Sequence, residues 1–181
     1  MPAGRLEVIY GCMFAGKTTE LIRRLSAAGA LGLSAVAVKP RIDVRSGSSR
    51  LTTHGGVSVE AIECEDAAAI PGAVGSARVV AIDEAHFFGA GLVRSCRALL
   101  DDGRRVIVAG VHLDHRGRPF EPFPGLLPIA DESLQLFAAC AVCGKPANHS
   151  HRKVAAEGRI VVGGADLYEP RCDACFPPDP G

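Results

Sequence analysis

A glycine-rich stretch near the N-terminus carries the clearest chemistry in this sequence. It follows the pattern G-x-x-x-x-G-K-[ST] with Gly11, Cys12, Met13, Phe14, Ala15, Gly16, Lys17 and Thr18. This pattern is typical of a phosphate-binding loop (P-loop), in which backbone N–H groups converge on the phosphates of a nucleotide. Lys17 would reach the β- and γ-phosphate oxygens, and Thr18 would offer its hydroxyl to Mg²⁺ at the start of a helix. We therefore predict that the chain binds a nucleoside triphosphate and carries out phosphoryl transfer.

An acidic pair at the end of an apolar run is the second candidate for chemistry. The run Val79–Ile82 leads into Asp83 and Glu84, the arrangement expected of a Walker B segment. Asp83 would hold the magnesium, and Glu84 would accept a proton from a hydroxyl or a water that attacks the γ-phosphorus. The letters DEAH, which begin at Asp83, are also a helicase signature. Residues 1–139 cannot hold two RecA-like domains of well over ~100 residues each, so a helicase motor is excluded.

Four cysteines occur as two Cys-x-x-Cys pairs, which residues 144–171 separate. They are Cys140, Cys143, Cys172 and Cys175. Two such pairs match a tetrahedral structural zinc site, and four thiolates leave no open position for a substrate. We expect the metal to hold a loop in place and not to catalyse. His149 and His151 lie between the pairs but are not needed as ligands, so we interpret them as surface residues.

Bulk composition narrows the class of protein. The chain has 181 residues, of which 48% are hydrophobic, a length that suits one domain with a small appended module. Its 20 basic side chains balance 20 acidic ones, so no bulk charge would draw it to nucleic acid or to an anionic membrane. No apolar run approaches the roughly 18 residues that span a bilayer, and no secretory signal precedes the first run. Seven cysteines, an odd number, favour a reducing compartment. We expect a cytoplasmic protein with neither nucleic-acid nor membrane partners.

Short apolar runs recur along the chain and predict its fold class. They lie at residues 6–10, 35–38, 79–82 and 106–109. Such runs indicate strands that are buried on both faces of a parallel sheet. Helical spacing follows the first run as far as Gly29 and recurs in residues 92–100. We therefore predict an α/β fold that binds its ligands at the carboxyl ends of the strands.

Two further changes in residue composition divide the chain. Residues 41–56 are polar and lack periodicity, which predicts a mobile loop. Residues 134–139 are the expected last strand of the main domain, after which cysteines, histidines and glycines dominate. We predict a P-loop nucleotide-binding domain over residues 1–139, to which the resemblance described below assigns kinase activity, and a zinc-binding domain over residues 140–181.

Taken together, these motifs resemble the thymidine kinase family of the type found in many bacteria and in animal cytosol. The shared features are the P-loop with Met13-Phe14, the acidic pair followed by Phe87-Phe88, residues 116–120, the two cysteine pairs and residues 162–168. They occur in the family's order and spacing over essentially the whole chain. The resemblance implies a RecA-like P-loop domain with a parallel sheet, a small zinc-ribbon "lasso" domain, and a homotetramer. It also implies transfer of the γ-phosphate of ATP to the 5′-hydroxyl of thymidine, with dTTP as a feedback inhibitor.

The resemblance assigns roles to individual positions. Glu84 corresponds to the proton acceptor for the nucleoside 5′-hydroxyl, and Asp83 and Thr18 correspond to positions associated with magnesium. Asp43 and Arg45 correspond to a loop that helps to hold the phosphates. The implied base pocket and lasso comprise Met13, Phe87, Val111, His115, Phe120, Arg159, Ile160, Val161, Val162, Gly163 and Tyr168. In the family the lasso reads the base largely through main-chain groups, and a glycine there permits close approach of the backbone.

Three histidines depart from the family pattern. His86, which we count with the ATP and magnesium positions, stands where the family usually has Gln, and His112 where it usually has Asp. His115 replaces a Phe that stacks near the base, and an imidazole is smaller, more polar and titratable near neutral pH. These changes leave the nucleoside preference open.

Two other classes of function compete with a kinase. One is a P-loop ATPase whose zinc ribbon binds nucleic acid, although the ribbon region lacks a dense basic and aromatic face. The other is a non-catalytic interaction protein with a vestigial nucleotide site. The intact Lys17, Thr18, Asp83 and Glu84 weigh against it.

Overall fold

The computed structural model describes residues 4–41, 49–53, 55–155 and 157–177. Within these ranges the strands are β1 Arg5–Gly11, β2 Ala35–Pro40, β3 Arg50–Thr52, β4 Ser58–Cys64, β5 Val79–Ile82, β6 Arg105–Val111, β7 Glu132–Leu136, β8 Ala138–Ala139, β9 Pro146–Ala147, β10 His149–Arg152 and β11 Tyr168–Arg171. The α-helices are α1 Lys17–Ala30, α2 Ile70–Ala73, α3 Gly91–Asp101 and α4 Phe123–Leu126. No helix in the described ranges combines the length and the apolar character that a membrane span requires.

A central sheet of seven strands organises the molecule. Its order is β3-β4-β2-β5-β6-β1-β7, and every neighbouring pair is parallel except β3 with β4. Strand β5 is buried along its whole length, as expected of a continuous apolar run in a parallel sheet. Because β1, β6 and β5 are parallel, the carboxyl ends of β1 and β5 lie at one edge with β6 between them. The P-loop and the acidic pair therefore share that edge.

Helices cover the two faces of the sheet. On one face, α1 packs Leu21, Ile22 and Leu25 against Ile9 and Ile107 in one buried cluster. On the other face, the apolar side of α3 joins a larger cluster that includes residues of β1, β5 and β6. The fold is thus a mixed α/β architecture with a mostly parallel central sheet, and the predicted fold class is confirmed.

A buried charge cluster lies on β1 at the end away from the P-loop. Glu7 is only 2% exposed, and its carboxylate accepts hydrogen bonds from Arg24 at 2.6 Å and from Arg105 at 2.7 and 3.0 Å. Arg5 adds a third contact at 3.1 Å. Burial acts to raise the pKa of Glu7, but the hydrogen bonds and charges of these guanidinium groups outweigh it and lower the pKa to about 2. The cluster stabilises the sheet and stands apart from the nucleotide edge.

The four cysteines of the paired motifs belong to a small region built from two antiparallel strand pairs. Strand β8 pairs with β9, and β10 pairs with β11. Because β8 precedes Cys140, this pairing begins just before the residue 139 boundary that we expected. The division into residues 1–139 and 140–181 stays a prediction.

Most of the predicted elements are confirmed, and three expectations are wrong. The predicted loop at residues 41–56 contains β3 in its described part, and these three residues carry no sequence signature and take their form from antiparallel pairing with β4. Residues 42–48 and 54 of the predicted loop lie outside the described residues. The single strand expected at residues 134–139 is divided between β7 of the central sheet and β8 of the cysteine-rich region. His149 is not a surface residue, because its side chain is 15% exposed and stacks on Phe176 at 4.1 Å between ring centroids.

Candidate active site

The P-loop leaves β1 through a glycine that the packing demands. A Cβ atom on Gly11 would lie 2.1 Å from the carbonyl oxygen of Leu136 on β7, so no other residue fits without moving that strand. Phe14 adopts a left-handed backbone conformation with φ 67°, which is uncommon for a residue other than glycine. Lys17 begins α1, is buried, and donates from Nζ to the Cys12 carbonyl at 2.5 Å. The loop therefore presents a lysine ammonium and a helix N-terminus together, the combination that binds phosphates.

The Walker B carboxylate meets the P-loop directly. Thr18 donates from Oγ1 to Oδ2 of Asp83 at 2.8 Å, and the Glu84 backbone N–H donates to Oδ1 at 2.9 Å. Asp83 is 3% exposed, and burial, together with the charge of Glu84, raises its pKa to about 7. The hydrogen bond from Thr18 and the charge of Lys17 only partly oppose this rise. A divalent cation beside Asp83 would reverse the balance, so the pair fits the magnesium that the resemblance implies.

Glu84 occupies a strained backbone position at the start of a short 3-10 turn, Ala85–Phe87. Its φ of 50° is in the left-handed region, where non-glycine residues cluster at functional sites. Its side chain is 16% exposed, and Oε2 lies 3.6 Å from Nδ1 of His86, too far for a hydrogen bond. Nδ1 of His86 instead accepts from the Val111 backbone N–H at 3.4 Å. The carboxylate of Glu84 is thus held at the cavity without a hydrogen bond to this imidazole.

His86 lies beside two aromatic rings that also line the cavity. Its ring is 4.3 Å from that of Phe87 and 5.4 Å from that of Phe120, measured between centroids. Both phenylalanines belong to the predicted base pocket. The contacts of His86 are therefore with the predicted acceptor side, while its assignment to the ATP and magnesium positions stays a prediction.

One cavity of about 480 Å³ joins two sets of predicted residues. One set is predicted to bind ATP, the phosphate donor, and the other to bind the nucleoside, the phosphate acceptor. This volume is within the range of small-molecule sites. From the P-loop and the Walker B segment it is lined by Met13, Phe14, Gly16, Lys17, Thr18, Asp83, Glu84 and His86. From the predicted base pocket and lasso it is lined by Phe87, Val111, His115, Phe120, Arg159, Ile160, Val161, Val162, Gly163 and Tyr168. The structure thus brings together residues that are far apart in the chain, with Glu84 among them.

Some predicted site residues are placed elsewhere. Gly11, Cys12 and Ala15 belong to the P-loop but do not line the cavity. Asp43 and Arg45 lie outside the described residues. Their assignments stay predictions.

The lasso segment, residues 159–163, is held at the cavity by hydrogen bonds at Arg159 and at Val161. Arg159 donates from Nε to Oδ2 of Asp114 at 2.7 Å and from its Nη2 to the Pro119 carbonyl at 2.5 Å. Its guanidinium also lies 4.7 Å from the centroid of the Phe120 ring. Further along, the Tyr168 hydroxyl donates to the Val161 carbonyl at 2.8 Å. These contacts close the acceptor end of the cavity.

Gly163 fits the lasso for a steric reason. A Cβ atom there would lie 2.2 Å from Cδ1 of Leu167, so a larger residue would require this side chain to move. The close approach of the Gly163 backbone to a base stays a prediction. No similar crowding affects Gly164, where the nearest atom to a Cβ is 3.5 Å away.

Sequence reasoning missed several residues of the cavity. Asp114 is 2% exposed, and its Oδ1 accepts from the backbone N–H groups of Arg118 and Arg116 at 2.8 and 3.0 Å. Burial tends to raise the Asp114 pKa, but these hydrogen bonds and the Arg159 guanidinium hold it below its ordinary value. Ser150 and the β3 strand also line the cavity. The one available signal was that Asp114 follows β6 at the carboxyl edge; Ser150 and β3 offered none.

The four paired cysteines form a compact cluster. Their Sγ atoms all lie within 4.8 Å of one another, and those of Cys143 and Cys172 are 3.5 Å apart. Sulfurs bound tetrahedrally at 2.3 Å from a zinc ion would lie about 3.8 Å apart, so the geometry is compatible with zinc. His149 and His151 are not part of the cluster.

Comparison with known proteins agrees with this geometry. A sequence profile described as "TK: Thymidine kinase" matches residues 4–176. The chain belongs to the thymidine kinase family. The thymidine kinase of Rhodothermus sp. (strain ITI 518) is 47% identical over 175 residues, which cover 97% of this chain and 82% of that protein. That of Coprothermobacter proteolyticus is 46% identical over 178 residues, covering 94% and 89%. That of Halobacterium salinarum (strain ATCC 29341 / DSM 671 / R1) is 42% identical over 183 residues, covering 96% and 94%.

Two of the histidines that the family resemblance singled out, His112 and His115, have lowered pKa values. Burial lowers the pKa of His112 to about 4, and the positive charge of Lys17 acts in the same direction. Burial and the charge of Arg152 lower the pKa of His115 as well. Nδ1 of His115 is buried and has no hydrogen-bond partner among the described residues. His115 therefore contributes a polar ring to the lining of the cavity.

Proposed function

We propose that this chain is a thymidine kinase that transfers the γ-phosphate of ATP to the 5′-hydroxyl of thymidine, giving dTMP and ADP. The observation that supports this most is the single cavity shared by the P-loop, the acidic pair and the lasso. A hydrolysing ATPase needs room only for water beside the γ-phosphate. Here the space beyond Glu84 is large, and aromatic and main-chain groups line it, which suits a nucleoside.

The residues of the cavity divide the reaction between them. Glu84 accepts the proton of the 5′-hydroxyl as the hydroxyl oxygen attacks the γ-phosphorus. The bond from that phosphorus to the bridging oxygen breaks, and ADP leaves with the electron pair. The Lys17 ammonium offsets negative charge on the transferring group and on the β-phosphate.

Two metal ions are part of the proposal. Thr18 and Asp83 would hold Mg²⁺, which supplies neutralisation of phosphate charge when bound. Cys140, Cys143, Cys172 and Cys175 would hold a structural Zn²⁺. The Thr18–Asp83 hydrogen bond and the compact sulfur cluster support these assignments.

The lasso explains how water is kept away. A kinase whose cavity stays open to water would hydrolyse ATP, and closure over the acceptor prevents this. Arg159 and Tyr168 hold the lasso through the contacts described above, and the family resemblance implies that the main chain of residues 160–163 reads the base. A cytoplasmic location, a homotetramer and inhibition by dTTP belong to the same proposal, and the resemblance to the family supports them.

An altered nucleoside preference is a second candidate, and His115 favours it. The family usually places a phenylalanine at this position, whereas this chain has an imidazole whose Nδ1 lacks a partner among the described residues. A polar ring there would change the relative affinity for bases that differ in their substituents.

One experiment tests both candidates. The purified chain is mixed with Mg·ATP and each nucleoside in turn, and the formation of each monophosphate is followed. We expect dTMP to form in the native chain and to be lost in Glu84→Gln. Preferential product from another nucleoside would support the second candidate. Monophosphate from none of them, with ATP hydrolysis stimulated by DNA or RNA, would refute the kinase proposal in favour of the ATPase.

A further inference from the structure

The P-loop and the cysteine-rich region meet in a contact that the reaction itself does not require. The Cys12 thiol donates to the Ala147 carbonyl, with 3.1 Å between Sγ and O. The Met13 backbone N–H donates to Oγ of Ser150 at 2.9 Å. Cys12, Ala147 and Ser150 are 1%, 0% and 3% exposed, so water cannot replace these partners. Two consecutive residues of the P-loop are thus hydrogen-bonded to the cysteine-rich region.

Packing reinforces the two hydrogen bonds. Cys12 belongs to one small buried cluster together with Cys140, Ala147 and Cys172. Two of these residues are proposed zinc ligands. The P-loop therefore rests on the same side chains that the metal would hold.

Both hydrogen-bond acceptors, the Ala147 carbonyl and Ser150 Oγ, lie in the segment between the two cysteine pairs. Ala147 is in β9 and Ser150 is in β10, and both strands lie in residues 144–171, the segment that the two cysteine pairs enclose. Strands β9 and β10 have two and four residues, and two-stranded pairs this short are not stable by themselves. A metal bound by the two cysteine pairs would hold the segment that contains both strands at each of its ends. When the strands are disordered, the Cys12 thiol and the Met13 N–H lose their partners, and the P-loop loses the support that sets its shape.

We propose that Cys12 and Ser150 are positioning residues that couple zinc binding to nucleotide binding at the P-loop. This inference rests on the proposed triphosphate site, but not on the identity of the nucleoside. A nucleotide binds well only when the P-loop amides already converge on its phosphates, and the metal helps to hold them so. Such a coupling is reciprocal, so a bound nucleotide must tighten zinc binding by the same factor by which zinc tightens nucleotide binding.

The test measures zinc affinity and not activity. The full chain competes for zinc with a zinc-selective chelator, in the presence and absence of saturating Mg·AMP-PNP. We expect the nucleotide to tighten zinc binding by about fivefold or more, at the lower end of ordinary coupling factors. In the native chain, removal of zinc should weaken AMP-PNP binding by an equal factor.

Variants assign the coupling to the two contacts. In Cys12→Ala with Ser150→Ala, we expect the effect of AMP-PNP on zinc affinity to fall below about twofold. Cys12→Ser and Ser150→Thr keep a donor and an acceptor, and they should retain the coupling. Cys64→Ala removes a buried thiol that is remote from the P-loop and serves as the matched control, with coupling unchanged. Free AMP-PNP can itself bind zinc and so change the apparent zinc affinity. Lys17→Ala, which should not bind the nucleotide, measures this contribution so that it can be subtracted.

The outcomes separate this inference from the proposed function. A native zinc affinity that is unchanged by AMP-PNP, although a direct titration shows that AMP-PNP binds, would overturn the coupling. Equal coupling in the native chain and in the double Ala variant would overturn the assignment to Cys12 and Ser150. Failure of thymidine phosphorylation in the presence of normal coupling would instead count against the proposed kinase activity alone.

Discussion

The ion pair between Arg159 and Asp114 gives the sharpest quantitative prediction, because it links the lasso to the turn after β6. Replacement of Arg159 by Ala removes the hydrogen bonds to Asp114 and to the Pro119 carbonyl, and the contact with the Phe120 ring. Asp114 remains buried, and the backbone N–H groups of Arg116 and Arg118 still donate to it. We expect the closed position of the lasso to lose stability relative to an open one.

The magnitude follows from the exposure of the two partners. A hydrogen bond between charged groups contributes about 1.5–3 kcal/mol. The Arg159 side chain is 49% exposed, so solvent reduces that figure toward the value of a surface pair. An exposed cation–π contact adds about 0.5–1 kcal/mol. The total is about 2 kcal/mol, which corresponds to a rise of about 30-fold in the KM for thymidine, because about 1.4 kcal/mol is tenfold.

The assay is steady-state kinetics with each substrate varied in turn. The KM for ATP should stay within about twofold, because the contacts of Arg159 are with the acceptor end and not with the P-loop. Arg159→Lys retains the charge without the forked geometry and should give an intermediate KM. A double-mutant cycle with Asp114→Asn should yield a coupling of about 1–2 kcal/mol. A thymidine KM within twofold of native in Arg159→Ala, or strictly additive effects in the cycle, would refute the reasoning.

Three further predictions concern single carboxylates and one histidine. Glu84→Gln should lower kcat by roughly 10²–10⁴-fold with unchanged AMP-PNP affinity, and a kcat near native in single-turnover assays would exclude Glu84 as the base. Glu7→Gln should lower the free energy of unfolding by about 3 kcal/mol in urea without changing thymidine kinetics. The stability that Glu7 provides to the native chain is present above pH 4.5 and lost as pH falls toward about 2. In Glu7→Gln the free energy of unfolding should therefore depend less on pH between 4.5 and about 2. The pKa of His112 is lowered to about 4 in the folded chain, so the unfolded chain binds a proton at this histidine first as pH falls. His112 therefore destabilises the fold progressively between pH 6.5 and 4. We expect His112→Asn to reduce the fall of Tm over that range.

Short local patterns were enough to predict the part of the candidate site formed by the P-loop and the Walker B segment. Gly11, Lys17 and Thr18 are fixed by one loop and one helix start, and Asp83 and Glu84 follow directly from a strand. Parallel strands carry such loops to one edge, so the meeting of the two segments also follows from the pattern. The cysteine cluster was predictable for the same reason, because each pair is local.

The acceptor half depended on contacts that no local pattern encodes. Arg159 finds Asp114 across 44 intervening residues, and Ser150 reaches the P-loop from the cysteine-rich region. The family resemblance named most of the pocket, but it did not name these partners. Strand β3 was missed because three residues take an extended form only when β4 is beside them. Pairing over long distances in the chain, and not intrinsic preference, decides such elements.

The position of β6 between β1 and β5 has a consequence for how this enzyme could change. Neighbouring strands are about 4.8 Å apart, so the anchor points of the P-loop and of Glu84 are roughly 10 Å apart at the edge of the sheet. Backbone hydrogen bonds of a buried sheet fix that span, and the lasso contributes no strand to it. The sheet therefore sets the distance for phosphoryl transfer, while residues 159–163 are the separate segment that we propose selects the nucleoside. If the lasso has this role, changes in it would alter the choice of nucleoside and leave the geometry of phosphoryl transfer intact.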